Sequence, residues 1–357
     1  MNYDFDIVTL HRAENYGAAL QAYALKNYLC GLGYRVGIYD AEQIPAPRNT
    51  SPRGRLIGLA KGTANFFNRK HIKIRSTKFK TFAEEYFEIN RCNSAKAYIA
   101  GSDQVWNPIV FNPYYYLDFV PENSVRASYA ASIGVTELPD STKNQYREYL
   151  LKFDYISVRE VSAKVAIGKF IPEKNIRVDL DPTFLLTKQE WEKLSYKGTN
   201  NIKGDYILLY ILHIPENINE LCRWLKKELD AEIVLIDSDG YLGMKIAHDK
   251  TIKDAGPEDF LALIRDAKAV VTSSFHGTAF SILFEKEFYS VLNADFPGRV
   301  ANILNYFELF PILSNQKSFS RQRADYDRIR NKLEENRRNS DVYFNSIQES
   351  YGQKKHE

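Results

Sequence analysis

The fold of this chain is constrained most by the window at 269–286, AVVTSSFHGTAFSILFEK. Its first four residues are apolar or β-branched, which is typical of a short strand buried on both faces. Ser273 and Ser274 can cap a helix that follows, and residues 278–284 are nearly all apolar, which predicts a helix packed deep inside the protein. A buried strand leading directly into a buried helix favours an α/β fold with a parallel sheet.

His276 lies where this predicted strand ends and the buried helix begins. In open α/β sheets that edge binds ligands, because amide N–H groups and the positive end of the helix dipole point outward there. Gly277 allows the first turn of the helix to come close to a ligand. The position also suits a core histidine whose ring bonds a backbone carbonyl, and the sequence leaves both interpretations open.

The composition is that of an ordinary globular protein, with 44% hydrophobic and 26% charged residues, and 357 residues are enough for two domains. A net charge of +3 does not by itself indicate nucleic acid as a partner. The three cysteines are far apart and lack metal-ligand spacing, so we expect reduced thiols and no metal site. The chain starts without a signal pattern and has no run of 18 apolar residues, so we expect a cytoplasmic protein.

Strands and helices alternate along the chain in a way that predicts two β/α domains. Residues 5–39 form a first β-α-β unit with Gly17 at the helix entrance, which is not GxGxxG and gives only a weak dinucleotide signal. The polar residues 187–204 are the best boundary between the domains. The predicted architecture is α/β, with two Rossmann-like domains facing each other across a cleft, at 1–190 and 200–320, and a C-terminal helix at 321–357 that packs back on the first domain.

A basic segment at 43–90 interrupts the predicted N-terminal domain. From Gln43 to Ala83 it contains ten Lys or Arg side chains and no acidic one, with Leu, Ile and Phe residues between them. This pattern fits an amphipathic segment on an anionic lipid surface, where each cation contributes ~1 kcal/mol. An ordinary helix with a solvated basic face fits equally well, so a peripheral contact with the inner face of the cytoplasmic membrane stays one of two interpretations.

Six short motifs occur in order along most of the chain: NYGAALQAYAL at 15–25, GSDQVWNP at 101–108, YAASIG at 129–134, SVRE at 157–160, LDPTFLL at 180–186 and SSFHGTAFSILF at 273–284. Together they resemble the polysaccharide pyruvyl transferases. The resemblance implies a two-domain fold of glycosyltransferase B type, with the acceptor on the N-terminal side and the donor on the C-terminal side. It also implies transfer of the enolpyruvyl unit of phosphoenolpyruvate to a sugar, which gives a cyclic pyruvate ketal and phosphate.

This chemistry sets clear requirements for the site. The terminal methylene of phosphoenolpyruvate must be protonated, one sugar hydroxyl must attack the resulting cationic carbon, phosphate must leave, and a second hydroxyl must close the ring. The protein must therefore hold a trianionic donor, supply a general acid and remove protons from hydroxyl groups. No metal or redox cofactor is needed in principle, and phosphoenolpyruvate is a co-substrate.

Guanidinium groups and helix N-termini are expected to bind such a donor. The resemblance implies that His276 contacts the donor and acts as the acid, and its ordinary pKa of ~6.5 allows it to carry a proton near neutrality. Arg159 in the SVRE motif is the preferred phosphate or carboxylate ligand, with a surface ion pair to Glu160 or a neighbour as the alternative. Arg12 is a weaker candidate. The predicted donor-binding residues are Arg159, Ser273, Ser274, Gly277, Thr278 and Arg299, although helix capping would also explain the two serines.

Asp103 is the candidate base that activates a sugar hydroxyl, because a carboxylate and an amide beside an indole often bind sugars. It would alternatively cap a helix after Gly101. Asp181 is expected to shape the turn before Pro182 rather than do chemistry. The predicted acceptor-binding residues are Asn15, Gly17, Gln104 and Trp106.

The expected acceptor is a hexose such as galactose in an undecaprenyl-diphosphate-linked oligosaccharide, a precursor of a surface polysaccharide, and no nucleic acid is expected as a partner. Two other functions stay open. A two-domain glycosyltransferase would use a nucleotide-sugar, but the sequence contains no acidic residue clearly placed for its ribose. A non-catalytic scaffold on the membrane face would not depend on His276.

Overall fold

The computed structural model describes residues 3–40, 68–237, 242–292 and 298–351. Contacts within the chain divide it into two compact units. Of the described residues, the first unit takes those within 1–46, 83–186 and 328–357, and the second takes those within 47–82 and 187–327.

The secondary structure of the described residues alternates between strand and helix in both units. The strands are β1 (Phe5–Val8), β2 (Val36–Tyr39), β3 (Ile89–Asn90), β4 (Ala97–Ala100), β5 (Val125–Ser128), β6 (Ile156–Val158), β7 (Ile176–Val178), β8 (Tyr206–Tyr210), β9 (Glu232–Ile236), β10 (Lys250–Ile252), β11 (Ala269–Thr272), β12 (Glu287–Leu292) and β13 (Ile312–Leu313). The α-helices are α1 (Tyr16–Gly31), α2 (Arg69–Tyr86), α3 (Asp140–Leu150), α4 (Val161–Gly168), α5 (Lys188–Ser195), α6 (Ile218–Leu229), α7 (Pro257–Asp266), α8 (Phe275–Leu283), α9 (Gly298–Phe307) and α10 (Tyr326–Glu349).

The first unit contains a parallel sheet with the strand order β3-β2-β1-β4-β5. Parallel bridges from Ala127 to Tyr155 and from Ala131 to Val158 connect β5 and its extension to β6, which pairs with β7. All four residues of β1, β2 and β4 are buried, as expected for strands covered on both faces. Because the strands are parallel, their carboxyl ends lie at one edge of the sheet, where open α/β folds bind ligands.

Local sequence explains where α1 begins and ends. The Asn15 side chain caps the helix by accepting a hydrogen bond from the Ala18 amide. Small residues, including Gly17 and four alanines, are buried along the helix and allow it to pack closely. The helix stops before Gly33, whose φ of +90° is a left-handed conformation that favours glycine.

The C-terminal helix α10 contributes its residues after 327 to the first unit. Tyr343 donates a hydrogen bond to the carbonyl oxygen of Ser128 at the end of β5 (2.6 Å). Ser340 lies 2.8 Å from the Tyr129 hydroxyl, and the ring of Phe344 is fully buried. Helix α10 has many charged side chains, but it packs against the rest of the first unit through a stripe of apolar and hydroxyl-bearing side chains.

The second unit contains a parallel sheet with the strand order β10-β9-β8-β11-β12-β13. Every residue of β11 and α8 is buried, which confirms the buried strand and helix predicted from the window at 269–286. In both sheets a first strand is flanked by the second and the fourth, which is the order of doubly wound Rossmann-like folds, so the predicted fold class is confirmed.

Part of the basic segment at 43–90 lies outside the described residues, which resume at 68. We expected the segment in the N-terminal domain, but residues 68–82 group with the second unit. The reason is electrostatic, because acidic residues of that unit pair with helix α2: His71 Nδ1 lies 2.7 Å from Asp254 Oδ2, and Lys78 Nζ lies 2.7 Å from Asp259 Oδ2. The described helices include none that is long and apolar enough to cross a membrane.

Candidate functional site

A buried ion cluster surrounds Arg159, which directly follows β6 at the carboxyl edge of the first sheet. Its side chain is 2% exposed. Arg159 Nη1 lies 2.7 Å from Asp181 Oδ2, its Nε lies 3.3 Å from Glu160 Oε1, and its Nη2 lies 3.9 Å from Asp103 Oδ1. The alternative of a surface ion pair is therefore wrong: the pair with Glu160 exists, but it is buried and shared with two further carboxylates.

The charges of this cluster keep Arg159 protonated. Burial alone would lower the pKa of the guanidinium, but the neighbouring carboxylates of Glu160, Asp181 and Asp103 outweigh it, and the pKa is raised. Three carboxylates around one guanidinium leave excess negative charge. A trianionic donor at this point would have to compete with carboxylates that already hold the guanidinium, so the donor-binding role of Arg159 stays a prediction.

Asp181 connects the cluster to the turn that follows β7. Its Oδ2 accepts a hydrogen bond from the Ser102 hydroxyl (2.8 Å), while its Oδ1 accepts from the Thr183 amide (3.1 Å) and the Thr183 hydroxyl (2.9 Å). The predicted turn-shaping role is confirmed, and the same carboxylate also holds Arg159. Sequence reasoning missed this second role because the two residues are 22 positions apart and meet only through the pairing of β6 with β7.

Glu160 is a second residue that the sequence analysis treated only as a surface partner. It is 4% exposed, and its Oε1 accepts a hydrogen bond from the Ser132 hydroxyl (2.6 Å). Within the described part of the chain, its Oε2 is buried and has no hydrogen-bond partner. A hydrogen-bond donor at an unsatisfied buried carboxylate oxygen would be stabilising.

Asp103, the candidate base, lies just after β4 and faces this cluster. Its φ of 68° is a left-handed conformation that is rare outside glycine and that clusters at functional sites. The chain after Gly101 forms a turn and no α-helix, so the helix-capping alternative for Asp103 is wrong. The structure thus brings Asp103 and Arg159 together, while the role of Asp103 as a base stays a prediction.

Trp106 requires a correction. We expected its indole to stack on an acceptor sugar, but the residue is fully buried. It packs against the rings of Tyr116 and Phe153, and its Nε1 donates to the Tyr115 carbonyl oxygen (3.0 Å). The ring fills the core because the loop after β4 folds back over α3, so neither face is accessible to a sugar.

The other predicted acceptor residues lie in two loops of the first unit. Gln104 Oε1 accepts a hydrogen bond from the Asn107 side chain (2.7 Å). A Cβ at Gly134, whose φ is +67°, would lie 2.3 Å from that oxygen, so glycine is required there. Asn15 is exposed at the start of α1 and Gly17 is buried in its first turn. Their acceptor-binding roles stay predictions.

His276 lies in the first turn of α8 in the second unit and is 6% exposed. The ring of Phe275 meets the imidazole edge-to-face, with centroids 5.1 Å apart. The next residue must be glycine, because a Cβ at Gly277 would lie 2.2 Å from Thr272 Oγ1. The close approach of α8 to the end of β11 therefore places His276 at the carboxyl edge of the second sheet, and its contact with the donor stays a prediction.

The hydroxyl groups around His276 hold this turn together. Ser274 caps α8, with its Oγ 3.4 Å from the Gly277 amide, which confirms the capping alternative for this serine. Ser273 Oγ accepts from the amides of Leu212 (2.9 Å) and His213 (3.2 Å), so it links the ends of β11 and β8. Thr278 Oγ1 donates to the Ser274 carbonyl oxygen (3.0 Å). The other predicted donor ligand, Arg299, is half-buried in the first turn of α9.

A third group of charges lies at the ends of β1, β2 and β3 and was largely missed by the sequence analysis. Asp40 directly follows β2 and is 4% exposed. Arg12 Nη2, His11 Nε2 and Arg91 Nη2 all lie near its carboxylate, at 2.5, 3.3 and 3.9 Å. The available signal was a polar residue directly after an apolar strand, VGIYD. Among the described residues, no group of His, Cys, Asp and Glu side chains is arranged to hold a metal ion.

Comparison with known proteins gives a family and a fold. The model of a family described as polysaccharide pyruvyl transferase matches residues 15–295, most of the chain. Of the curated proteins, none has a matching sequence.

Solved structures resemble the fold at low sequence identity. A glycosyltransferase involved in avilamycin A biosynthesis, AviGT4, is 11% identical, with a TM-score of 0.50 and 98% of each chain covered. A UDP-GlcNAc 2-epimerase from Neisseria meningitidis, bound to UDP-GlcNAc, is also 11% identical, with a TM-score of 0.48 and coverage of 97% of this chain and 93% of the epimerase. The glycosyltransferase SnogD from Streptomyces nogalater is 11% identical, with a TM-score of 0.43 and 95% of each chain covered.

Proposed function

The chain belongs to the polysaccharide pyruvyl transferase family, and we propose that it transfers the enolpyruvyl unit of phosphoenolpyruvate to a sugar diol, forming a pyruvate ketal and releasing phosphate. The observation that carries the proposal is the family match, which spans residues 15–295 and includes all the predicted site residues except Arg299 and the weaker candidate Arg12.

The proposed role of His276 is to protonate the donor. The π electrons of the enol take the proton at the terminal methylene, and the adjacent carbon becomes cationic, stabilised by its oxygen substituents. A helix N-terminus beside the imidazole favours an anionic donor, because its amide groups and dipole stabilise negative charge. This supports His276 as acid and Ser273, Gly277 and Thr278 as neighbours of the phosphate.

Asp103 has the proposed role of base for the acceptor. A first sugar hydroxyl attacks the cationic carbon and gives up its proton, and the bond from that carbon to phosphate breaks. The second hydroxyl then closes the ketal ring and its proton leaves with phosphate, so the reaction is balanced without a further reactant. Arg159 Nη2 lies 3.9 Å from Asp103 Oδ1, which places a cation beside the proposed base.

The proposed acceptor is a hexose such as galactose in a lipid-linked precursor of a surface polysaccharide, and the proposed place of reaction is the inner face of the cytoplasmic membrane. The basic helix α2 supports this, because its exposed cations, which include Lys70 and Lys73, would be attracted by anionic lipids. No metal or redox cofactor takes part in the proposed reaction.

Phosphate release tests the function. The protein is incubated with phosphoenolpyruvate, a panel of glycans and a lipid-linked oligosaccharide, alone and together. We expect phosphate only when donor and acceptor are both present, with the mass of a ketal added to the acceptor. His276→Ala should lower turnover by about 10²-fold or more, whereas His248→Ala, a histidine of the same unit outside the site, should not. No phosphate release across the whole panel would contradict the proposal.

A nucleotide-sugar glycosyltransferase is the second candidate, and one observation favours it. Asp237 directly follows β9, the second strand of its sheet, where Rossmann folds place the acid that binds ribose. Its Oδ2, however, already accepts a hydrogen bond from the Gly243 amide (2.8 Å). Thermal shift with nucleotide-sugars and with phosphoenolpyruvate separates the two candidates, because each function predicts stabilisation by its own donor.

A further inference from the structure

Three neighbouring strands of the first sheet end in one charged cluster. The strand order β3-β2-β1 places Arg91 directly after β3, Asp40 directly after β2, and Arg12 in the loop between β1 and α1. The carboxyl ends of parallel strands share an edge, so these residues meet although they are up to 79 positions apart in the sequence. We call Arg12, Asp40 and Arg91 the arginine pair site.

A single carboxylate oxygen holds both guanidinium groups. Arg12 Nη2 lies 2.5 Å and Arg91 Nη2 lies 3.9 Å from Asp40 Oδ2. The other oxygen, Oδ1, lies 3.3 Å from His11 Nε2. His11 Nδ1 lies 3.0 Å from the Thr9 carbonyl oxygen, which can only accept, so Nδ1 carries a proton. Burial lowers the pKa of His11 and favours the neutral ring, so Nε2 has no proton to donate to Asp40. Among the described residues, Asp40 Oδ1 has no hydrogen-bond partner, and the ion pairs of this carboxylate with arginine are made through Oδ2.

Exposure differs sharply within the site. The Asp40 side chain is 6% exposed, whereas those of Arg12 and Arg91 are 50% and 59% exposed. A ligand arriving from solvent therefore meets the guanidinium groups first. Two cations share one anion, so the site carries a net positive charge that a further anion would neutralise. Planar guanidinium forks match the geometry of phosphate oxygens.

We propose that the arginine pair site binds the diphosphate of a diphosphate-linked sugar and so anchors the acceptor substrate. This inference rests on the proposed function, in which the donor phosphate is bound in the second unit beside His276. An acceptor that carries a diphosphate needs its own anion site, and two guanidinium groups held on one oxygen match two linked phosphates. Both lipid-linked and nucleotide-linked sugars contain this group.

Titration with inorganic pyrophosphate tests the site without turnover. Isothermal calorimetry on the full chain should detect binding, and Arg12→Gln/Arg91→Gln should weaken it by about 100-fold, because two charge-assisted contacts with the anion are lost. Arg12→Lys/Arg91→Lys keeps the charge but not the fork and should weaken it less. Arg35→Gln removes the same charge from the opposite end of β2 and should bind as the wild type does.

Steady-state kinetics then assign the ligand. With a diphosphate-linked acceptor, the double glutamine variant should raise KM for the acceptor and leave KM for phosphoenolpyruvate unchanged. Competition against pyrophosphate by a polyprenyl-diphosphate sugar in detergent and by a nucleoside-diphosphate sugar identifies which source binds more tightly.

Three outcomes would overturn the inference: a wild type that does not bind pyrophosphate, a double variant that binds it equally well, or a rise in KM for phosphoenolpyruvate alone. Failure of the proposed function is distinguishable from these. Pyrophosphate binding that depends on both arginines would support the anion site even if no phosphate were released from phosphoenolpyruvate.

Discussion

The two sheets of this protein share one strand order but present different chemistry at their carboxyl edges. In the first sheet, buried charges end the strands: Asp103 follows β4 and Arg159 follows β6. In the second sheet, the position equivalent to Asp103 follows β11 and carries hydroxyl groups and His276. The same backbone frame therefore supports a rigid ion cluster in one unit and a helix terminus with an imidazole in the other.

Equivalent strand ends in the two sheets therefore carry different functional groups, and the side chains packed around each strand end determine which ligands it can bind. Around Arg159, one buried guanidinium attracts three carboxylates, so protein side chains already occupy it. Around His276, serine hydroxyl groups accept hydrogen bonds from backbone amides.

Removal of the guanidinium from the first cluster should be the most damaging change. Arg159→Met leaves three carboxylates facing each other in a buried space, and we expect the free energy of unfolding to fall by about 3–5 kcal/mol. Urea denaturation monitored by circular dichroism measures the loss. Arg177→Met, which removes a 29% exposed arginine paired with Asp179, is the control and should lose less. An equal decrease in the free energy of unfolding for both variants would contradict an extra destabilisation from the buried carboxylates.

The buried acid inside β1 should make the first unit sensitive to pH. Burial raises the pKa of Asp6 to about 7, with a contribution from Glu88, and a hydrogen bond from Asn90 only partly opposes this. The equivalent strand of the second sheet, β8, is YILLY and has no acid. Since the folded pKa lies above the unfolded value, the protonated acid stabilises the fold at low pH, and this stability is lost as the pH rises through about 7.

Asp6→Asn should therefore be more stable than the wild type at pH 8, by up to about 4 kcal/mol, with the difference shrinking toward pH 4. Unfolding curves over this pH range measure it. Asp4→Asn should behave oppositely, because contacts with Lys96 and the Arg35 amide outweigh burial and lower the pKa of Asp4. A pH-independent difference for Asp6→Asn would contradict the raised pKa.

The close approach of α8 to β11 should make Gly277 intolerant of a methyl group. A Cβ would lie 2.2 Å from Thr272 Oγ1, whose hydrogen bond to the Tyr210 carbonyl oxygen holds it in place. We expect Gly277→Ala to lower the free energy of unfolding by about 1–3 kcal/mol. Thermal denaturation checks the value, and an unchanged melting temperature would mean that the turn around His276 relaxes freely.

Gly31, the last residue of α1, should respond in the opposite direction. A Cβ there has no neighbour within 4 Å, so Gly31→Ala should stabilise the protein by about 0.5–1 kcal/mol through a smaller entropy loss on folding. Both glycines lie in helices, so both substitutions change helix propensity in the same direction. A difference between the two variants therefore measures the steric effect of the added methyl group. If both substitutions destabilise equally, close packing at Gly277 is not the cause.

Much of the fold could be predicted because its determinants are local. The window at 269–286 predicts a strand over 269–272, and β11 has these bounds. The helix of the β-α-β unit predicted over 5–39 is α1 (Tyr16–Gly31), and Gly17 lies in its first turn, at the predicted entrance. Apolar runs, capping residues and glycines act over a few neighbouring positions. The bounds of these strands and helices can therefore be predicted from the sequence.

The candidate site could be predicted only in part. The motifs identify His276, Asp103 and Arg159, because ligand-binding edges follow strands. They did not separate Trp106, fully buried in the core, from a sugar-stacking ring, because burial of a loop aromatic depends on elements distant in sequence. The motifs also did not indicate that Asp40 lies close to Arg12 and Arg91.

The fold class, the family and the strand ends that carry polar groups could all be predicted from the sequence. Each depends on periodicity or on short motifs, which are properties of neighbouring residues. Only the tertiary structure decided which of those groups meet. Arg159 reaches Asp181, and Arg12 and Arg91 reach Asp40, because parallel strand pairing brings distant strand ends to one edge. Charge interactions weaken with distance, so the chemistry of each cluster depends on separations that only the paired strands of the folded protein establish.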